Sequence, residues 1–269
     1  IQHRAHDHDP AGMLLETGDR VHLNLPAIAD DPADIDLGRR GIMRREKGDL
    51  LHSKRLPQEL LDRRREELGS YVFAAQYQQR PAPLGGGLIK WEWFKTFDRG
   101  PDCVGGDQIV QSWDTASKAE QANDYSVCTT WLVRGPSAWL IDLYRAKLEF
   151  PQLCRFIQTH AREQKAGLVL IEEAGSGIQL IQALKAGSHV SIRGMIPKDD
   201  KATRMLGVTH LIEGGRIAIP KNAPWLAEFQ REVVHFPNGK YDDQVDSLSQ
   251  FLRRHTEPKQ KSGMVDIGF

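Results

Sequence analysis

Apolar residues are sparse and weakly periodic over residues 1–57 of this chain, then dense and regularly spaced from about residue 107 onward. In the sparse part, acidic Asp30-Asp31-Pro32-Ala33-Asp34-Ile35-Asp36 gives way to basic Arg39-Arg40 and Arg44-Arg45-Glu46-Lys47. This reads as a loop-rich lead-in, in which Val21-His22-Leu23-Asn24-Leu25-Pro26 alternates as a short strand does. Leu56-Pro57-Gln58-Glu59 opens a helix. A proline stands near its first turn and a glutamate is placed to favour the helix dipole. The pattern carries it to about residue 68, and after Gly69 a second helical piece holds Tyr71, Phe73, Ala74 and Tyr77. Pro81-Ala82-Pro83-Leu84-Gly85-Gly86-Gly87 reads as a linker. Trp91, Trp93, Phe94 and Phe97 follow it. Their position suits a docking patch better than a base-stacking platform.

The dense part predicts strands over 108–116, 125–134 and 138–145. Only Gly135-Pro136-Ser137 separates the second from the third, too little chain for a crossover, so that pair must be antiparallel. Residues 150–165 form an amphipathic helix with Leu153, Phe156, Ile157 and His160 on one stripe. Gly167-Leu168-Val169-Leu170-Ile171 is a continuous apolar run, as in a strand buried on both faces. Gly175-Ser176-Gly177 turns the chain into a helix through Leu180, Ile181 and Leu184. A strand over 190–196 ends at Pro197, and a helix over 201–213 stops at Gly214-Gly215. A short strand over 216–219, a helix over 223–234 and a last helix from Asp242 or Asp243 through Leu248 and Leu252 complete the pattern. A meander followed by alternating helices and strands gives a mixed α/β sheet with helices on both faces.

Composition narrows the classes. With 40% hydrophobic and 27% charged residues, 269 residues suffice for one large domain and an appendage. No apolar run approaches the roughly 18 residues that span a bilayer, and the start lacks a signal core, so the expected location is cytoplasmic. Cys103, Cys128 and Cys154 match neither a disulfide framework nor a zinc pattern, and the last two sit in apolar runs as core residues. The 36 basic residues equal the 36 acidic ones, which argues against binding nucleic acid by bulk attraction. No Gly-x-x-x-x-Gly-Lys-Ser/Thr occurs, so the chain carries no Walker-type ATP site.

Candidate chemistry lies in three acidic positions. Asp114 follows one apolar strand and Glu172 another. If those strands are parallel neighbours, their carboxyl ends share one rim of the sheet, where open α/β sheets place their sites. Asp243 opens the last helix, whose N-terminus favours an ionised carboxylate. Three clustered carboxylates repel one another unless a cation intervenes. Mg²⁺ prefers such oxygen donors, and a two-ion site can activate water and stabilise the leaving oxygen of a phosphodiester. Taken singly, Asp114 could be a turn residue, Glu172-Glu173 a solvated pair and Asp242-Asp243 a helix cap. Asp124, at the head of the second strand, stands between a supporting carboxylate and a turn role. Lys198, Lys201 and Arg204 could meet phosphate or begin a solvated helix. His210 and His235 could assist proton transfer but suit structural roles better.

Several words of the sequence resemble the C-terminal part of a phage terminase large subunit, from about residue 56 to 252. They are Tyr71-x-Phe-x-x-Gln-Tyr-Gln-Gln-x-Pro, Ser112-Trp113-Asp114, Asn123-Asp124-Tyr125-Ser126, Ile171-Glu172-Glu173-Ala174-Gly175-Ser176-Gly177, Asp200-Lys201 with Arg204, and Asp242-Asp243-Gln244-Val245-Asp246-Ser247-Leu248. The resemblance implies a ribonuclease H-like mixed sheet, a three-stranded antiparallel meander plus parallel strands flanked by helices. It implies a nuclease that cuts concatemeric double-stranded viral DNA with Mg²⁺ or Mn²⁺, two ions in all. Asp114, Glu172 and Asp243 match the catalytic acids and metal ligands, with Asp242 an auxiliary ligand. Expected partners are DNA, the portal protein and the small terminase subunit, in the host cytoplasm. The expected division is a lead-in and linker over 1–87 that includes the tail of an ATPase domain, a nuclease domain over 88–255 and a flexible tail over 256–269. Two other readings stay open: a junction resolvase or related ribonuclease H-like nuclease, and a non-catalytic module that docks a packaging motor.

Overall fold

The structure, a computed structural model, describes residues 4, 9–18, 22–81, 87–115, 125–187 and 190–257. In the lead-in, helix α1 (Pro10–Glu16) is capped by Asp9, and strands β1 (Ala33–Asp36) and β2 (Ile42–Arg45) pair into a small antiparallel ribbon. Residues 22–26 form no strand, in contrast to their alternation. The ribbon forms instead from the charged segments on either side of a glycine turn, where sequence periodicity is weak.

Helix α2 (Gln58–Gln76) is broken at Gly69, whose φ of 78° is closed to most side chains, so the two helical pieces meet at an angle. Glu213 accepts a hydrogen bond from the Ser70 amide at this kink. Strand β3 (Lys95–Phe97) lies in the aromatic stretch after the linker. Trp91 and Phe94 there pack on Phe229, so the aromatic patch docks within the chain.

Strands β4 (Gln108–Asp114), β5 (Ser126–Arg134) and β6 (Ser137–Ala146) form the expected antiparallel meander. After helix α3 (Phe150–Glu163), strand β7 (Leu168–Glu172) returns parallel to β4. Helix α4 (Ser176–Lys185) leads to β8 (Ser191–Met195), parallel to β7. Helices α5 (Lys201–Leu206) and α6 (Thr209–Glu213) precede β9 (Ile217–Pro220), which lies between β6 and β3 and runs parallel to both. Helices α7 (Leu226–His235) and α8 (Asp243–Thr256) complete the order. The seven-stranded sheet thus reads β3-β9-β6-β5-β4-β7-β8. The helix expected over 201–213 is two, because Gly207 closes the first and Val208 leaves helical geometry before the second begins.

Strand periodicity of two sorts the core into layers. Ile109, Trp113, Val169 and Ile171 face α3 and α4 on one side. Val110, Leu168 and Leu170 face α5 to α8 on the other. Where α8 crosses β4 and β5 the contact is polar as well as apolar. Ser247 donates to the Ser112 carbonyl (2.7 Å), Ser112 donates to the Ser247 carbonyl (2.8 Å), and Gln250 donates to the Ser112 hydroxyl (2.9 Å). Phe251 stacks on Trp131 at 4.2 Å one turn further along. Directional bonds of this kind fix the rotation of α8 more tightly than apolar packing alone.

Candidate active site

Register places the first two acids. Ser112 pairs with Leu170 and Trp113 with Ile171, so Asp114 and Glu172 lie together one residue past the last paired rung. Alternation sends both toward the α8 side. Glu173 falls on the opposite face, where a Cβ at Gly194 would lie 2.4 Å from its carboxylate. The sheet therefore resolves which member of the Glu172-Glu173 pair reaches the rim. Gly177 serves the same corner: a Cβ there would lie 2.1 Å from the Glu172 carbonyl, so only glycine lets α4 start this close to the strand end. Gly175, at a φ of 53°, makes the turn itself.

Helix α8 brings three further acids: Asp242 just before it, Asp243 as its first residue and Asp246 one turn on. Asp242 makes no capping hydrogen bond. The cap comes from α7, where Glu232 accepts from the amides of Gln244 (2.6 Å) and Val245 (3.2 Å) and from the Gln244 side chain (2.6 Å). With its end capped from outside, the helix's own carboxylates are available to the rim.

Three cations interleave with these acids. Lys201 bridges Asp242 (2.8 Å) and Asp246 (2.6 Å). Arg204 bridges Glu172 (2.8 Å) and Asp246 (3.1 Å). Arg145 of β6 lies 3.5 Å from Asp243 and also pairs with Glu228. Asp114 makes no ion pair among the described residues: burial first, then the charges of Asp246, Glu172 and Asp243, push its pKa well above the usual carboxylate range, against the weaker pull of Lys201. Burial raises Asp246 to about 6 against the opposing pull of Lys201. Burial also raises Asp243, with Arg145 opposing it. Burial works to lower the Lys201 pKa, but its bonds to Asp242 and Asp246 prevail and the net shift is upward.

Asp114, Glu172, Asp242 and Asp243 thus converge on one rim. Lys201 and Arg204 stand against the acids, while Lys198 is exposed ahead of them. Asp124 lies outside the described residues. His210 packs beside Gly69, and His235 bonds the Arg231 carbonyl on α7. Sequence reasoning missed Asp246, Glu232 and Arg145. Asp246 had a signal, since a residue three and four positions beyond Asp243 and Asp242 shares their helical face. Arg145 and Glu232 had none, because their roles arise from elements distant in sequence.

The donor set is all carboxylate oxygen, which suits a hard divalent cation. Asp114, crowded by like charges and ion-paired to none of the described residues, is the feature that fits one. Among the described residues, no group of three or more acidic, histidine or cysteine side chains is arranged to hold an ion as it stands. Lys201 and Arg204 hold three of the acids instead.

A family model, the terminase RNaseH-like domain, matches residues 111–254. The chain belongs to that family. Its sheet is accordingly ribonuclease H-like, and solved structures share the fold. The large terminase of a thermophilic bacteriophage in complex with ADP gives a TM-score of 0.56 at 13% identity, covering 73% of this chain and 51% of that one. The ATP-gamma-S complex of the same protein gives 0.57 at 12% identity, covering 73% and 52%. The large terminase nuclease of thermophilic phage G20c with bound cobalt gives 0.51 at 15% identity, covering 64% and 99%. This terminase-family chain therefore spans about half the length of the large terminase seen with ADP. No curated protein matches it. No helix among its described residues is long and apolar enough to cross a membrane.

Proposed function

We propose that this chain is the nuclease part of a DNA-packaging terminase. It hydrolyses phosphodiester bonds of concatemeric double-stranded DNA with Mg²⁺ or Mn²⁺, two ions in the complete site. Asp114, Glu172 and Asp243 are the catalytic acids and metal ligands, with Asp242 as an auxiliary ligand. The domain spans 88–255, preceded by a lead-in and followed by a tail. It works in the host cytoplasm with a portal protein and a small terminase subunit.

The single observation that carries this reading is the shared rim. Two parallel strand ends and one helix start, far apart in sequence, direct carboxylates to one place. Membership of the terminase family supports it, and so does the cobalt-bound G20c nuclease of similar fold. A divalent cation in such a site supplies water activation and charge stabilisation. The protein's own part is to hold the acids: Ser112, Ser247 and Gln250 lock α8 to β4, and Glu232 keeps the helix end capped. Arg204 and Lys201 keep mutually repelling acids together, and a bound cation would take over the part of Lys201. Lys201 is half-exposed, so it can swing out, whereas Arg204 is buried and remains in place. The docking-module alternative loses its main support, because Trp91 and Phe94 are already packed on Phe229.

Plasmid nicking with Mn²⁺ tests the reading. Asp114→Asn is expected to lower cutting at least about a hundredfold, comparable to removing one preorganised electrostatic contact. Calorimetric titration with Mn²⁺ is expected to show weaker binding to the same variant. Equal cutting by parent and variant would remove Asp114 from the mechanism.

A further inference from the structure

The rim has two flanks of unlike character. On the α5 flank, Lys201 and Arg204 are spent on Asp242, Asp246 and Glu172. On the β6 flank the cations lie on aromatic rings. The Arg145 guanidinium lies 3.8 Å from the Tyr125 ring and 5.1 Å from the Tyr241 ring. The Lys147 ammonium lies 4.9 Å from Tyr125, and that of Lys240 lies 5.0 Å from Tyr241. The two tyrosines meet edge to face at 6.4 Å. Lys147, Lys240 and Tyr241 are exposed, and neither lysine is ion-paired among the described residues.

We propose that the DNA backbone crosses the rim on this Tyr125–Tyr241 flank, with Lys147 and Lys240 as its phosphate contacts and Arg145 as the buried strut that ties them to Asp243. The proposal rests on the nuclease reading and adds to it the side from which substrate lies. A phosphate strand approaching five carboxylates is repelled unless positive charge lines its path. Apart from Lys198 ahead of α5, the cations near the acids that no carboxylate already matches, among the described residues, are on this flank. Ring contacts hold both ammonium groups near the rim and lower the cost of ordering them, while leaving their outer faces to solvent. Arg145 is a poor direct phosphate ligand: its side chain is only 10% exposed. Among the described residues its enclosed Nε and Nη2 atoms make no close hydrogen bond, Nη2 being the atom nearest Asp243. It acts as a positioning residue, stacked between the two tyrosines and reaching 3.5 Å from Asp243. Beyond Tyr241 the surface continues into a cavity of about 420 Å³ edged by Glu228, Arg231, Glu232, His235 and Lys240. Contacts of this kind position a duplex without reading its sequence.

The test is fluorescence anisotropy with a duplex oligonucleotide and Mn²⁺ over a salt series, on the full chain carrying Asp114→Asn so that nothing is cut. Adding Lys147→Gln and Lys240→Gln together is expected to raise Kd several-fold and to flatten the slope of log K against log[salt] by about 1.8, or about 0.9 for each lost phosphate contact. Lys198→Gln on the other flank is expected to change the slope by less than one contact. Both lysines are exposed, so their replacement leaves the core intact. An unchanged slope in the double variant overturns the proposal, as does failure of the Asp114→Asn chain to bind duplex, or a greater effect from Lys198→Gln. If the intact chain binds through these lysines yet nicks nothing, the nuclease reading fails and this surface stands. If cutting persists with the lysine slope unchanged, the reverse holds.

Discussion

At the scale of single residues, the rim is a charge problem solved with side chains. Asp246 shows how: buried beside other acids, it titrates at about 6 rather than at the ordinary 3.8. A carboxyl whose folded pKa lies above its unfolded value favours the fold while protonated. Its contribution is complete below the unfolded value and is lost as pH rises through 6. Without divalent ion, thermal stability is expected to fall between pH 4 and 7 more steeply in the parent than in Asp246→Asn. The difference should amount to roughly 1–3 kcal/mol for a shift of this size. Parallel pH profiles for the two proteins would remove Asp246 as the source. Lys201 poses the complementary test. It holds two acids that a divalent ion would otherwise claim, so Lys201→Met is expected to tighten Mn²⁺ binding about tenfold, read by titration calorimetry. Unchanged or weaker affinity would mean that Lys201 does not compete with the ion.

At the scale of elements, α8 is the part whose placement decides the site, and it is capped by a neighbour. Removing Glu232 as Glu232→Ala leaves the Gln244 and Val245 amides without their acceptor inside the protein. The expected loss is about 1–3 kcal/mol. That corresponds to a melting temperature lower by several degrees in a differential scanning experiment. Glu232→Gln keeps one acceptor oxygen and is expected to lose less; equal losses would argue against the cap. The strand that carries Glu172 was legible in the sequence because β7 is buried on both faces and reads as an unbroken apolar run, and β4 through Ile109, Val110 and Trp113 ahead of Asp114. The last helix was legible through Val245, Leu248 and Leu252. Strands β1, β2 and β3 were not, since each is three or four residues long and half the residues of β1 and β2 are charged. The break at Gly207 was hidden because Met205, Leu211 and Ile212 keep a helical spacing across it while packing in one core. Glu232 was invisible because a cap supplied from another helix leaves no local signature.

At the scale of the whole molecule, 36 basic and 36 acidic residues cancel, so no long-range field draws DNA to the surface. The acids of the rim form a set because strand order places β4 beside β7, an adjacency the sequence offered only as a condition and the fold supplies. Of the basic residues that balance them, Lys201 and Arg204 stood out together on one short helix, read as phosphate contacts rather than as partners of the acids, whereas Arg145 comes from a distant strand and meets the acids only in the fold. The resulting count has a consequence. Asp114, Glu172, Asp242, Asp243 and Asp246, when all ionised, carry five negative charges against three positive ones from Arg145, Lys201 and Arg204. The rim is then short of two positive charges, which one divalent ion supplies. A phosphate backbone brought to the bare rim meets that residual negative charge at short range, where salt screens it least. Duplex DNA is therefore expected to bind about tenfold more tightly to the Asp114→Asn chain with Mn²⁺ than with chelator. Glu172→Gln in the same chain, which removes a second acid, should narrow the gap. Anisotropy titrations at one fixed salt concentration check both. Equal affinity with Mn²⁺ and with chelator would place the acids away from the path of the DNA. A gap left intact by Glu172→Gln would place Glu172 outside the ion's reach.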